Sequence, residues 1–575
     1  MKLLAFVLIF PFLMPLAAAL DRSAFTFTRY DLELRVEPGQ QRLAVRGALT
    51  LRNDSEVPQM NAVLQISSTL NWVSIRGNGK PLQFVSQIYT SDIDHTGGLS
   101  EAIVALPVAV QPKQIIELQV GYEGVVPQDT TRLKRIGVPL EKATHSDWDQ
   151  ISRSFTAVRG IGYVAWYPVA TEAVEMAESS ALASEIGRWK RREAEAAMNV
   201  NLCIVDAGKR IEGIMNDDAS EASPAVRGAS EVQLASSVCV KHRFVSLRDT
   251  VPTFAASNYA VTNKSGVKLY YLGDDQSATQ NYEFALDEAT DLVKKLFGER
   301  QRASAIQALD LEDAEAEPFE SGSMLLVPFK AKDSVLLLSA TQQLTHSLYS
   351  SAPAWVRDGL ARYAQLELLA ERSSPEQVNA YLQNQADELR SLEGENRKSV
   401  KQDNSLFASL DGSYVEAKAA SVWWMLKDMV GANELRSALF KYRAQDDTNR
   451  SYVRKLIESD THRDLAWFFN DWVDHDRGLP DFRILSVYPR RLPAGGCLVT
   501  VTVQNLGGAG AEVPVILRMN PGEEKQRLVV QADSKASVRI QTATMPVEAI
   551  VNDGSVPETK MEGNSFKIQA TAPLQ

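Results

Sequence analysis

The chain has 575 residues, with 72 acidic against 61 basic side chains and a formal net charge of −11. That length is too great for one hydrophobic core and predicts about three or four domains. The acidic balance argues against a nucleic-acid partner, because neutralising phosphates requires clustered lysine and arginine, and it offers no basic stripe for an anionic membrane.

The first twenty residues, MKLLAFVLIFPFLMPLAAAL, have the features of an export signal. Lys2 supplies the positive end, an apolar stretch runs to Leu16, and the alanines 17–19 suit a cleavage site. An uncleaved membrane anchor is the alternative, but two prolines and a short apolar run disfavour a full span. We expect a signal peptide over residues 1–19, export to the periplasm or beyond the cell, and no stable membrane span after cleavage.

Short runs of alternating apolar and polar residues fill positions 26 to about 125, as in YDLELRVEP and RLAVRGALTLRN. Alternation with a period of two, punctuated by turn residues, is typical of sheets with one buried face. A stretch over 171–198 is rich in alanine, glutamate and arginine and has helix-forming composition. The pattern predicts an N-terminal all-β domain, a saddle or sandwich, over residues 20–255 with a helical insertion.

Two of the three cysteines, Cys203 and Cys239, lie in strand-like runs of this domain. If those strands pair, an oxidising compartment would favour a disulfide between them. Two buried free thiols are the alternative, and the sequence leaves both open. No Cys-x-x-Cys pair occurs, so a cysteine-based zinc site is excluded.

From about Tyr282 the hydrophobic period changes to helical spacing, as in NYEFALDEATDLVKKLFGE. Helical signals then dominate to about Trp472, which predicts a central, mostly α domain over residues 256–478. After RGLPDF, short alternating strands return, and a C-terminal immunoglobulin-like β-sandwich is predicted over residues 479–575. The chain is therefore expected to be a multidomain α+β protein in the order β, α, β.

One predicted helix of the central domain, over Val335–Tyr349, carries the sequence QQLTH. Gln342 and His346 are four residues apart and share a helix face, which is the spacing of His-Glu-x-x-His zinc helices. A second helix follows Pro353 and presents Asp358 where such enzymes carry their third zinc ligand.

These features, together with YVAWYPVA, HRFVSLRDTVPTFAASNYAV and DLAWFFNDWV, resemble the alanyl aminopeptidase family of gluzincin zinc metallopeptidases. The shared order of segments extends over most of residues 26–480. The resemblance implies a thermolysin-like central domain behind an N-terminal β domain, and zinc-dependent removal of amino-terminal residues from peptides.

The metal motif is degenerate in this chain. Gln342 stands at the first zinc-ligand position, and a neutral amide is a poor zinc ligand beside imidazole. Gln343 stands at the general-base position, and an amide cannot take a proton from water. His346 keeps the second ligand, and Asp358 replaces the family's longer glutamate. Without a metal, His346 and Asp358 would hydrogen-bond to each other as a polar staple between the helices.

Two further family positions have changed. The strand whose glutamate grips the substrate's amino terminus corresponds to GSMLL, which places Leu325 at the glutamate position. The transition-state tyrosine position corresponds to Glu416, with Tyr414 as a substitute only if the helix begins differently.

Three functions remain open at this stage. The first is an exported, non-catalytic pseudoenzyme that binds a peptide or protein and needs no cofactor. The second is an active zinc metallopeptidase with unusual ligands, and the third is a scaffold protein of the cell envelope. A polar groove beside Trp355 would favour peptide binding, whereas a closed surface there would favour the scaffold.

Overall fold

The computed structural model describes residues 20–178, 181–205, 211, 213–222, 237–273, 276–300, 305–399 and 405–568. The predicted signal peptide over 1–19 lies outside the described residues. Within the described ranges, no helix is both long enough and apolar enough to cross a membrane.

The N-terminal region is built from fifteen described strands and three helices. They are β1 (Phe25–Glu37), β2 (Arg42–Asn53), β3 (Gln59–Ser67), β4 (Leu70–Gly77), β5 (Lys80–Pro81), β6 (Phe84–Thr90), β7 (Gly98–Val110), β8 (Ile115–Val125), α1 (Thr131–Arg135), α2 (Leu140–Ser146), β9 (Gln150–Ile151), β10 (Phe155–Val158), α3 (Ala181–Glu193), β11 (Ala197–Val205), β12 (Gly213–Met215), β13 (Ala219–Ala222), β14 (Ser237–Phe244) and β15 (Phe254–Ser257).

These strands form three sheets, ordered β13-β14-β11-β1-β2-β8-β4-β5, β12-β15-β10-β9 and β3-β7-β6. Alternate residues of β1, such as Leu32 and Leu34, share one buried core with Leu64 and Ile66 of β3. The structure therefore confirms the prediction from the period-two pattern: one face of each strand is buried. Helix α3 is the expected helical insertion.

Cys203 and Cys239 face each other directly across the antiparallel pair β11–β14. The structure joins them in a disulfide, which is one of the two alternatives that the sequence left open.

The central region begins with a five-stranded sheet and continues with eight helices among the described residues. They are β16 (Tyr259–Lys264), β17 (Val267–Leu272), α4 (Gln276–Phe297), β18 (Ile306–Asp310), β19 (Phe319–Ser321), β20 (Met324–Val327), α5 (Asp333–Leu348), α6 (Ala354–Arg372), α7 (Pro375–Ser399), α8 (Gly412–Val430), α9 (Ala432–Lys441), α10 (Tyr452–Thr461) and α11 (Ala466–Phe469). The sheet order is β16-β17-β18-β20-β19, so β19 is an edge strand.

The C-terminal region is a sandwich of two antiparallel sheets, ordered β21-β22-β25 and β24-β23-β26-β27. Its strands are β21 (Phe482–Arg491), β22 (Cys497–Asn505), β23 (Ala511–Arg518), β24 (Glu523–Val530), β25 (Ser534–Thr542), β26 (Glu548–Val551) and β27 (Ser565–Lys567). The expected order of β, mostly α and β regions is confirmed. The boundaries at 255/256 and 478/479 stay predictions.

A buried ion pair fastens the central helices to the start of this sandwich. Lys418 of α8 has no exposed side-chain surface, and its Nζ lies 2.9 Å from Oδ1 of Asp476. The same Nζ donates a hydrogen bond of 2.8 Å to the Gly478 carbonyl. Tyr414, one turn earlier on α8, donates from its hydroxyl to Oδ2 of Asp476 at 2.6 Å. The segment that leads into β21 is thus held by a charge pair inside the protein.

Replacing Lys418 with methionine should destabilise the chain strongly, because it leaves the buried Asp476 carboxylate without its cation. Removing one member of a buried pair costs about 3–5 kcal/mol. We expect a loss of that size in the free energy of unfolding by urea for Lys418→Met. Lys418→Met/Asp476→Asn, which removes both charges, should recover part of that loss.

Lys525→Met, which removes an exposed partner of Asp553, is the control and should cost less than about 1 kcal/mol. Equal losses in Lys418→Met and the control would contradict the role of this pair.

Candidate functional site

The residues of the degenerate motif meet where two helices and an edge strand come together. His346 lies in the last turn of α5, and Asp358 lies in the second turn of α6. Pro353 precedes the first turn of α6, where its fixed φ suits the start of a helix. Glu320, in the middle of β19, contacts His346. The sequence did not single out Glu320.

The imidazole of His346 lies between two carboxylates. Its Nδ1 is 3.0 Å from Oε2 of Glu320, and its Nε2 is 3.5 Å from Oδ1 of Asp358. Burial lowers the pKa of His346, but the carboxylates of Glu320 and Asp358 raise it by more, so it lies above the ordinary 6.5. A protonated ring is the form that both carboxylates favour. The hydrogen bond expected between His346 and Asp358 is not formed: the two side chains are only at ion-pair distance, and Glu320 is the closer partner.

Asp358 is held by its neighbour in the chain. Arg357 makes a two-pronged contact with it, Nε to Oδ1 at 2.6 Å and Nη2 to Oδ2 at 3.0 Å. Burial raises the pKa of Asp358, but the Arg357 guanidinium and His346 lower it by more, so the carboxylate stays ionised. Arg357 also reaches Asp249, whose Oδ2 lies 2.5 Å from Nη1. The charges therefore continue from the central helices to the segment that precedes β15.

The two glutamines of the motif are bonded within the protein. Gln342 accepts a hydrogen bond of 3.1 Å from Nε2 of Gln365, on α6. Gln343 is 1% exposed, and its Nε2 donates 2.9 Å to the carbonyl of Gln307, on β18. The amide at the general-base position is thus directed at the sheet.

Leu325, at the predicted substrate-amine position, is 2% exposed and belongs to the central hydrophobic core. It pairs in register with Glu320 across β19 and β20. Of these two cross-strand partners, Glu320 is the one whose carboxylate contacts His346 of α5. In the sequence, Glu320 is part of a Phe-Glu-Ser triplet before Gly322, which is the signal that could have identified it. The triplet lies at the end of an acidic run that is typical of a solvated loop.

Tyr414 and Glu416 have different surroundings although they are close on α8. Tyr414 is 1% exposed and its hydroxyl is bonded to Asp476. That partner is not a member of the charged cluster, which we define as Glu320, His346, Asp358, Arg357 and Asp249. Glu416 is half-buried, with Oε1 3.6 Å from Nε of Arg362. Burial raises the pKa of Glu416, and the nearby Asp358 charge adds to that effect, while Arg362 and His346 oppose it. Of these two residues, Glu416 is the one whose pKa the charges of the cluster affect.

Helix α3 covers one side of the cluster. Arg191 of α3 donates to the carbonyls of Ala408 and Ser409, at 2.8 and 3.2 Å, just before α8 begins. A Cβ at Gly187 would meet the Leu410 carbonyl oxygen at 1.8 Å, so only glycine permits this approach. Burial lowers the pKa of Lys190, whose charge interacts with Asp249, Arg357 and Asp358. The inserted helix therefore adds a cation to the site.

Trp355, at the start of α6, is fully buried. Its ring stacks on Trp423 with centroids 5.3 Å apart, and Phe407 and Phe469 meet it edge-on. Aromatic side chains thus fill the space around it.

Zinc does not fit the residues that the motif supplies. Both oxygens of Asp358 face the guanidinium of Arg357, and that cation would repel a metal ion. Gln342 is an amide already engaged with Gln365. Throughout the described ranges, no group of three or more histidine, cysteine, aspartate or glutamate side chains is arranged to hold a metal ion.

No protein-family model matches the sequence, and no curated protein matches it. Among solved structures, the chain is similar to an M1 zinc metallopeptidase from Deinococcus radiodurans, at 14% identity and a TM-score of 0.47, over 80% of this chain and 96% of that one. A mutant of that enzyme gives the same values, and the mutant bound to a Tyr-Ser-Ala substrate gives 13% and 0.45 over the same shares. Similarity at this level does not assign the chain to that family.

The raised pKa of His346 predicts a pH-dependent stability. Its contribution is fully present below pH 6.5, the ordinary value, and is lost as the pH rises through the higher folded value. We expect the free energy of unfolding to fall over that interval in the unmodified protein and to fall less in His346→Gln. Chemical denaturation at several pH values between about 5 and 9 measures this.

His475→Gln is the matched control, since His475 is exposed and lies outside the cluster. It should keep the full pH dependence. If His346→Gln kept it as well, the charge pairing at His346 would be refuted.

Proposed function

We propose that this chain is an exported protein of aminopeptidase-like architecture that binds a peptide or protein without hydrolysing it. The observation that carries the proposal is the bonding of Asp358 to Arg357 and of Gln343 to the Gln307 carbonyl. A ligand position and the base position of a zinc peptidase are both used to hold the protein together.

Catalysis is poorly supported by these residues. An amide at Gln343 cannot accept a proton from water, so a hydrolytic nucleophile would lack its base. Loss of one residue of a catalytic unit costs orders of magnitude in rate, and further losses in the unit add little. Here the first ligand, the base and the transition-state tyrosine are all replaced, by Gln342, Gln343 and Glu416.

Binding is supported by the access that the charged cluster keeps to solvent. The side chains of His346 and Asp358 are 21% and 20% exposed. Glu416 stands beside them, half-buried. Paired charges of both signs suit the ends and backbone of a peptide, which carry an ammonium group and polar amides.

Two independent features support export. One is the N-terminal leader sequence over 1–19, and the other is the disulfide between Cys203 and Cys239. Disulfides persist in oxidising compartments such as a periplasm or the extracellular space.

The metal content of the purified mature protein tests the non-catalytic half of the proposal. We expect elemental analysis to find zinc well below one equivalent, and the same amount in His346→Ala. Zinc near one equivalent that falls in His346→Ala would instead support the metallopeptidase alternative.

A tripeptide with a free amino terminus, Tyr-Ser-Ala, serves as the probe for the binding half. Calorimetric titration should detect binding that weakens in Glu320→Gln, while chromatography detects no cleavage. Lys525→Met, on the C-terminal sandwich, is the control and should bind as the unmodified protein does. Cleavage of the tripeptide would overturn the proposal in favour of an enzyme.

A scaffold role is the second candidate, and the burial of Trp355 favours it. The rings of Trp355 and Trp423 are stacked and fully buried, so neither is open to a ligand at that end of α6. If the probe is neither bound nor cleaved, the cluster is a structural staple and the scaffold is the better description.

A further inference from the structure

One face of the C-terminal sandwich differs from the rest of the chain in its chemistry. In the sheet β21-β22-β25, odd-numbered residues of β22 from Cys497 to Asn505 are buried, so the even-numbered ones point outward. The strand register sets their outward neighbours on β21 and β25. We call these twelve side chains the basic face: Arg483, Ser486, Tyr488, Arg490, Leu498, Thr500, Thr502, Gln504, Lys535, Ser537, Arg539 and Gln541.

The basic face carries four cations and no carboxylate. None of the three strands contains aspartate or glutamate, although the whole chain has 72 such residues and a net charge of −11. The opposite sheet of the sandwich, in contrast, carries both signs: four glutamates, and four cations at Arg518, Lys525, Arg527 and Lys567. Cations without accompanying acids are therefore found on one of the two sheets and not on the other.

The cations of the basic face are available to a ligand. Arg483 donates to the neutral Gln504, at 3.0 and 2.7 Å. Arg490, Lys535 and Arg539 are exposed, and no carboxylate of the described residues lies within ion-pair distance of any of the four cations. Cations held together without counter-charges repel one another, and an anionic ligand relieves that cost.

The remaining groups indicate what kind of anion would be recognised. Between the cations lie the hydroxyls of Thr500, Thr502 and Ser537, which form a hydrogen-bonding surface. Tyr488 is 68% exposed in the middle of β21 and offers an open aromatic ring. Neighbouring strands are about 5 Å apart and outward residues along a strand about 7 Å apart, so these groups form rows on one face of the sheet.

A protein partner fits this array less well. Interface cores are apolar and depleted of charge, whereas Leu498 and Tyr488 are the only apolar or aromatic side chains of the basic face. Strand addition at the open edge of β21 is also disfavoured. Pro489 lacks an N–H there, and the register shifts between Ile484 and Ser486, which are two devices that protect edge strands.

We infer that the basic face binds an acidic polysaccharide. The cations would pair with its carboxylate, sulfate or phosphate groups, the threonine and serine hydroxyls would hydrogen-bond to its sugar hydroxyls, and a sugar ring would pack on Tyr488. This inference is independent of the charged cluster at His346, since it rests on another domain.

Binding to alginate, a polyuronate, and to heparin, a sulfated glycan, tests the inference, with neutral dextran as the uncharged comparison. The full mature chain should bind both acidic glycans and not dextran, and the affinity should fall with rising salt. Arg490→Gln/Lys535→Gln/Arg539→Gln should lower the affinity about tenfold, a few-fold for each exposed ion pair. Tyr488→Ala should lower it several-fold without changing the salt dependence.

The matched control removes three cations from the opposite sheet, by Arg518→Gln/Lys525→Gln/Lys567→Gln. Its change in net charge is the same, and its glycan affinity should stay within about twofold. Equal losses in the two triple variants would overturn the inference, because net charge alone would then account for binding.

Two other polyanions distinguish sugar recognition from simple charge attraction. Single-stranded DNA and vesicles of anionic phospholipid should bind more weakly than the glycans and should be unaffected by Tyr488→Ala. If either bound as tightly as alginate and heparin, or if neither glycan bound, the assignment to an acidic polysaccharide would be wrong.

Discussion

The charge sequence Glu320, His346, Asp358, Arg357 and Asp249 is the interaction on which the arrangement of this protein depends. Each group faces one of the opposite sign, and together they connect an edge strand, two helices and the end of the N-terminal region. The side chains are partly exposed, so each pair stabilises less than a fully buried pair would, but removing one member leaves its neighbour without a charge of opposite sign.

This arrangement also bears on the proposal that the chain binds no zinc. A metal ion would hold α5 and α6 together by binding side chains from both. Here His346 of α5 lies between Glu320 of β19 and Asp358 of α6, and Gln365 of α6 donates a hydrogen bond to Gln342 of α5, so charge and hydrogen bonding link the two helices. Lys418 and Asp476 form a second ion pair at the C-terminal end of the central region. Tyr414 donates a hydrogen bond to the same Asp476, in the segment that leads to the sandwich.

Much of the fold could be predicted because burial leaves a period in the sequence. Alternation in β1 and β22, and helical spacing in α4, follow directly from which face is buried. Glu320 could not be found in this way, since a three-residue strand carries too short a pattern and lies in an acidic run. The partner of Asp358 was equally hidden: adjacency in sequence does not say that Arg357 turns toward it. The basic face was invisible because its strands are separated along the chain, and only the register brings Arg490, Thr500 and Arg539 into neighbouring rows.

The basic face of the C-terminal sandwich has a mechanical consequence. With four cations on the basic face and no acid on its strands, and a net charge of −11 over the whole chain, the molecule has an electric dipole. A charged matrix would exert a torque on that dipole before any contact forms, and would turn the sandwich toward the matrix with the β21-β22-β25 side leading. The charged cluster of the central region would then be carried at the surface of such a matrix in a preferred orientation, instead of tumbling freely.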